Sequence, residues 1–163
     1  MITATRPAQT KSELLGFQKI LVPSDFSSAS DNSFKYALNF SRHFGTQLHV
    51  IHVLEPVLSP QFAGLPEAPA FSEEELAAAG KNLRAWAKSA GALDAGAKLV
   101  LRNGFPAHEI VEAAKEFAVD LVIIATQGLT GWKHFCIGST AERVVRAAPC
   151  PVLVVREKEH EFC

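Results

Sequence analysis

The chain has 163 residues, enough for one domain with a sizeable core. Apolar residues make up 48% and charged residues 20%, with a net charge of −1. That balance provides no basic surface for nucleic acid, and no apolar run reaches the roughly 18 residues of a membrane-spanning helix.

Residues 1–17 are polar and aperiodic, as in a loosely ordered arm, and Met1–Pro7 lacks the apolar stretch of a secretion signal. Residues 18–157 then read as one domain, and 158–163 as a short tail. Ile20-Leu21-Val22 is a buried strand closed by Pro23. Phe34, Ala37, Leu38, Ser41 and Phe44 share one helical face, stopped by Gly45. Leu48–Leu54 is a second strand. The stretch from Glu55 to Ala70 carries four prolines and reads as a long surface loop. Ser72-x-x-Glu75 is a capping box opening a helix with Leu76, Leu83, Trp86, Ala87 and Ala90. Ala97–Leu101 is a third strand, and Lys98 in it suits a sheet edge. Ala107, Ile110, Val111, Ala114 and Phe117 mark a third helix. Leu121–Ile124 is a fourth strand, Ala141, Val144, Val145 and Ala148 a fourth helix, and Val152–Val155 a fifth strand.

Strands alternate with helices, and the strands are apolar without polar alternation. Such strands are buried on both faces, so the fold class is α/β: a Rossmann-like five-stranded parallel sheet with helices on both faces. Ligands of such folds sit beyond the C-terminal strand ends where the strand order reverses. If the first and fourth strands flank that point, two segments converge. One is Pro23-Ser24-Asp25-Phe26-Ser27. The other runs from Ala125 to Thr140 and contains Gly128, Gly131, Gly138 and Ser139. A glycine-bearing loop entering a helix offers free amides and the positive end of a helix dipole to an anion, with phosphate the obvious candidate. Asp25 suits a ribose hydroxyl or a phosphate-bound Mg²⁺.

Each of these residues also has a plainer role. Gly128 and Gly131 supply positive φ in a turn, and Gly138 allows close packing of helix on strand. Ser139-x-x-Glu142 is a capping box in its own right, and Asp25 competes with Ser27, Ser28 and Ser30 to cap the first helix. Lys133 and His134 suit a solvated loop face. His49 and His52 stand three apart in a strand and point to opposite faces, which argues against a shared metal. The three cysteines, Cys136, Cys150 and Cys163, have no CxxC spacing and fit a reducing, cytoplasmic setting. Cys136 reads as an inert thiol. There is no GxSxG elbow, GxxxxGK[ST] loop or HExxH pair, and no nucleophile–base set can be assembled.

Four ordered blocks resemble the universal stress protein family: Val22–Ser27, Gly128-Leu129-Thr130-Gly131, Ile137–Val145 and Cys150–Val155. The likeness runs from about Phe17 to Arg156. It implies a dimer through the last strand, a role in stress response and, in many members, ATP binding. Family ATP binders carry Gly-x-x-Gly, nine residues, then Gly-Ser/Thr. Gly128, Gly138 and Ser139 match that pattern. Ala125 replaces the first glycine and Gln127 a frequent histidine. The match implies that Pro23, Ser24, Asp25 and Val53 approach the adenosine. Ala125, Gly128, Gly131, Gly138, Ser139 and Thr140 would then follow the phosphates, with Mg²⁺ reaching Asp25. The expectation is therefore a cytoplasmic regulatory homodimer joined through Val152–Val155 that binds ATP or a related adenine nucleotide. Two rival readings stay open: a dimeric interaction protein that binds no nucleotide, and a slow ATP hydrolase.

Overall fold

The computed structural model describes residues 16–56, 71–126 and 137–156. In chain order these form β1 (Lys19–Pro23), α1 (Ser28–Phe44), β2 (Gln47–Leu54), α2 (Glu73–Ser89), β3 (Lys98–Asn103), α3 (Pro106–Glu116), β4 (Leu121–Ala125), α4 (Ser139–Ala147) and β5 (Val152–Val155). All the strand pairs are parallel, in the order β3-β2-β1-β4-β5. Chain connectivity therefore runs outward from β1 to one edge, returns, and runs outward again from β4.

The sheet is sandwiched because its strands are apolar on both sides. Ile20, Val22, Leu48, Val50, Leu121, Ile123 and Val155 meet Phe34 and Ala37 of α1 and Leu83 and Ala87 of α2. Leu21, Ile51, Val122 and Ile124 meet Ile110, Ala113 and Ala114 of α3 and Ala141 and Val144 of α4. Burying each large aliphatic side chain contributes about 1.5–3 kcal/mol before the cost of ordering it.

Local signals set the helix ends. Gly45 takes the left-handed conformation, φ 71°, and its amide caps α1 on the Ser41 carbonyl. Ser72 and Glu75 form the expected reciprocal box at α2, with Ser72 N–H donating to Glu75 Oε2 at 2.8 Å. The Ser72 amide and then its hydroxyl hold the Glu75 carboxyl below its usual range. Asp120 anchors the start of β1, its Oδ2 accepting from the Gln18 and Lys19 amides at 2.7 and 2.9 Å.

Two expectations shift. β3 extends two residues past Leu101 to Asn103, because β2 continues alongside and offers pairing as far as Leu54. Phe44 and Val145 fall on apolar helical faces in sequence, yet both are exposed. Phe44 lies in the last turn of α1, past the sheet, where it meets Phe17 and Phe40 instead of the core. Most of the proline-bearing loop expected between Glu55 and Ala70 lies outside the described residues.

Candidate functional site

β1 and β4 are the adjacent strands at which the order reverses, as anticipated. Their chains also leave toward opposite faces, α1 on one and α4 on the other. A crevice between the two departing chains is the natural ligand position in such sheets.

On the β1 side a dense set of hydrogen bonds fixes the turn. Pro23 pairs with Ile51, and the Ser24 amide donates to the Ile51 carbonyl at 2.9 Å. Ser24 is buried. The Ser30 hydroxyl donates to the Ser27 carbonyl at 2.8 Å, so in the 3.2 Å contact between the two hydroxyls Ser24 must be the donor. Ser24 Oγ also accepts from the Phe26 amide at 3.2 Å. Asp25 Oδ1 accepts from the Ser27 amide at 3.1 Å and the Ser27 hydroxyl at 2.5 Å. Ser27, in turn, caps α1 by accepting from the Ser30 amide. Among the rivals for that post Ser27 wins. Asp25 braces the cap from two residues outside it, and Ser24 scaffolds the loop.

On the β4 side, half-buried Ala125 pairs with Val155. The Thr126 amide donates to the Val155 carbonyl at 2.9 Å, and the Gly138 amide donates to the Thr126 carbonyl at 2.6 Å. The second bond closes the intervening loop at its base and sets where α4 begins. Gly138 is the N-cap, with φ −62° and ψ 153°, an extended conformation open to any residue. What glycine contributes there is the absence of a Cβ. It provides no side-chain cap, and the first amide bonded within the helix is that of Glu142, to the Gly138 carbonyl at 2.9 Å. The amides of Ser139, Thr140 and Ala141 thus have no partner inside the helix. Three such donors at the positive end of a helix suit an anion.

The expected Ser139–Glu142 capping box is not formed. Ser139 is the first helical residue, not the cap, so its hydroxyl is misplaced for the N3 amide. Glu142 pairs instead with Arg146, one turn on, at 3.0 Å. Val53 lies on β2 two residues beyond the Pro23–Ile51 pair, half-buried and turned toward the face of α3 and α4. Gly128 and Gly131, with Gln127, Lys133, His134 and Cys136, lie outside the described residues.

His49 and His52 do occupy opposite faces. His49 stacks on Phe117 at 5.2 Å and His52 on Phe26 at 4.2 Å. Among the described residues no group of three or more His, Cys, Asp or Glu is placed to hold a metal ion, and no helix is long and apolar enough to cross a membrane. Burial, then the Asp120 charge, pushes the Cys150 thiol up, which leaves it a poor nucleophile. A groove of about 470 Å³ between α3 and α4 is lined by none of the sequence-derived candidates. The residue that sequence reasoning passed over is His52, whose imidazole reaches the Ser24 carbonyl at 2.8 Å. Its signal was its place on β2, immediately after the residue that pairs with Pro23.

A sequence profile of the universal stress protein family matches residues 16–156. The chain belongs to the universal stress protein family. Universal stress protein MJ0531 of Methanocaldococcus jannaschii is 35% identical over 151 residues, covering 89% of this chain and 85% of the relative. The solved universal stress protein UspA from Lactobacillus plantarum superimposes with a TM-score of 0.68 at 27% identity, covering 86% of this chain and 98% of that one. A universal stress protein solved in complex with cAMP has the same fold, with a TM-score of 0.62 at 23% identity over 87% of this chain and 99% of that one. The five-stranded parallel sheet with helices on both faces is therefore the universal stress protein architecture.

Proposed function

We propose that this universal stress protein binds ATP or a related adenine nucleotide in the crevice between β1 and β4 and acts as a regulatory binder in stress response. The observation that carries the reading is the start of α4. A glycine cap leaves the amides of Ser139, Thr140 and Ala141 without a partner inside the helix or from the cap side chain, at the point where the strand order reverses. Those donors fit phosphate oxygens. Because the Gly138 amide is already engaged by Thr126, Gly138 would serve by letting the phosphate approach, and the amides after it would bind. Gly128 and Gly131 would continue the cradle. Pro23, Asp25 and Val53 would line the adenosine side, with Ser24 holding their turn in shape. Mg²⁺, when bound with the phosphates, would neutralise part of their charge, and Asp25 is the carboxylate to reach it. Binding sets conformation or partner choice by stabilising one state of the protein.

The protein as purified, denatured and analysed by mass spectrometry is expected to release an adenine nucleotide. Titration calorimetry of the emptied protein with ATP, ADP and cAMP, each with and without Mg²⁺, gives the affinities. cAMP belongs in that set because a universal stress protein of this fold is solved with it. No released nucleotide and no heat with any of the three would sink the reading. That result would favour an interaction protein on the same scaffold, which the departures at Ala125 and Gln127 from the ATP-binding pattern support. Multiple-turnover phosphate release tests slow hydrolysis separately.

A further inference from the structure

Phe26 has φ 65°, a left-handed conformation that a bulky side chain rarely adopts. Such a residue persists only where its surroundings over-determine it. Here they do so through a chain of aromatic contacts leading out of the core. Fully buried Phe34 meets the Trp86 ring edge-on at 5.3 Å. The Trp86 indole N–H donates to Asp31 Oδ1 at 2.7 Å, which locks the ring to α1. Trp86 meets Phe26 at 6.1 Å, and Phe26 stacks on the His52 imidazole at 4.2 Å and 25°.

The imidazole ends this chain on the turn itself. Its Nδ1 lies 2.8 Å from the Ser24 carbonyl. A carbonyl only accepts, so Nδ1 carries a proton and donates it. The Ser24 carbonyl belongs to the peptide that precedes Asp25, and Phe26 is the residue that follows it. One side chain on β2 therefore holds the backbone carbonyl before Asp25 and the side chain of the residue after it. The serine bonds of the turn set where the Asp25 carboxylate rests against α1, and the His52 bond adds a direct hold on the peptide before it.

We propose that His52 is the positioning residue of the Asp25 turn, fixing the course of the backbone through Asp25 by way of the Ser24 carbonyl and the Phe26 ring. Its effect on ligand affinity rests on the nucleotide reading above. Its effect on the turn does not.

Three variants separate the parts. His52→Phe keeps a ring over Phe26 and deletes the donor. His52→Asn restores an N–H donor without the ring. Phe26→Asn removes the stack while tolerating the left-handed backbone. Amide hydrogen exchange in the ligand-free protein reads the turn at Ser27, whose amide is held by Asp25. Calorimetry with MgATP reads the site. Exchange at Ser27 is expected to rise at least tenfold in His52→Phe, with β4 amides unchanged, and MgATP affinity to fall at least tenfold. His52→Asn should recover most of both losses, leaving only the change that removal of the stack alone produces in Phe26→Asn. Phe26→Asn should raise Ser27 exchange at least threefold, an arm that stands even if His52→Phe fails to fold. Parent-like exchange at Ser27 in a folded His52→Phe overturns the proposal. A parent that binds neither ATP nor cAMP overturns the nucleotide reading, and the exchange result still decides the role of His52.

Discussion

Gly138 shows how little a single residue type reveals without its backbone. In sequence it reads as a phosphate glycine first, with a packing glycine as the plainer alternative. Its φ of −62° removes the need for positive φ and isolates the missing Cβ as its contribution. Gly138→Val should therefore fold, with a loss of about 1 kcal/mol from a poorer cap. If ATP binds there, calorimetry should show at least a tenfold weaker affinity, about 1.4 kcal/mol. An unchanged affinity in the folded variant would leave Gly138 a packing residue. Ala125→Gly removes one methyl at the end of β4, and ATP should bind it as tightly as the parent or more so. Weaker binding would mean that the methyl makes a favourable contact. His49 is a different case, a buried histidine whose Nδ1 lacks a hydrogen-bond partner. Burial first, then Lys98 and Lys19, push its pKa below the ordinary 6.5. The unfolded chain thus binds the proton more readily than the native one. Stability from this group is full above about pH 6.5 and is lost as pH falls below it. Urea midpoints between pH 7.5 and 5.5 should fall in the parent and fall less in His49→Phe, which keeps a ring against Phe117. Parallel slopes would assign the acid sensitivity to other groups.

At the scale of elements, apolar patterning was enough to place each described strand and helix, because a strand buried on both faces is largely apolar and a helix repeats an apolar face. Ends were harder. Ser72-x-x-Glu75 and Ser139-x-x-Glu142 are the same pattern, and only the first caps its helix. The difference is tertiary: the bond from the Gly138 amide to Thr126 starts α4 one residue early and carries Ser139 into the helix. Cap energetics should follow geometry. Ser72→Ala should cost about 1 kcal/mol of stability in urea denaturation, whereas Ser139→Ala should stay within about 0.5 kcal/mol. Equal losses would mean that Ser139 caps after all. The turn around Phe26 was illegible for a related reason. Left-handed backbone is announced in sequence by glycine or asparagine, and here a phenylalanine is forced into it by His52 and Trp86, partners 26 and 60 residues away.

At the scale of the whole molecule, the parallel, doubly covered sheet followed from the alternation of strands and helices, whereas the strand order entered the sequence reading only as a condition, and the pairing of β1 with β4 supplies it. The two sheet edges then differ sharply. β3 carries Lys98 and Arg102, the latter paired with Glu109 and Glu116, which guards it against a stray strand. β5 is Val152-Leu153-Val154-Val155, with no charge until Arg156. The carbonyls of Pro151 and Val155 accept from the Val122 and Thr126 amides across β4. By the alternation of a parallel ladder, the backbone groups of Val152 and Val154 therefore face away from the sheet. An apolar edge with outward donors and acceptors is satisfied by a second copy of itself about a two-fold axis. The parent should accordingly run as a dimer in light scattering at micromolar concentration, with twice the single-chain mass of 17.6 kDa. Val154→Pro removes an outward N–H at a position where an edge strand tolerates proline. It should keep its far-UV circular dichroism, melt at a lower temperature and scatter as one chain. A Val154→Pro protein that remains a dimer would show that the chains meet elsewhere, and a parent already at 17.6 kDa would show that this edge stays open under those conditions.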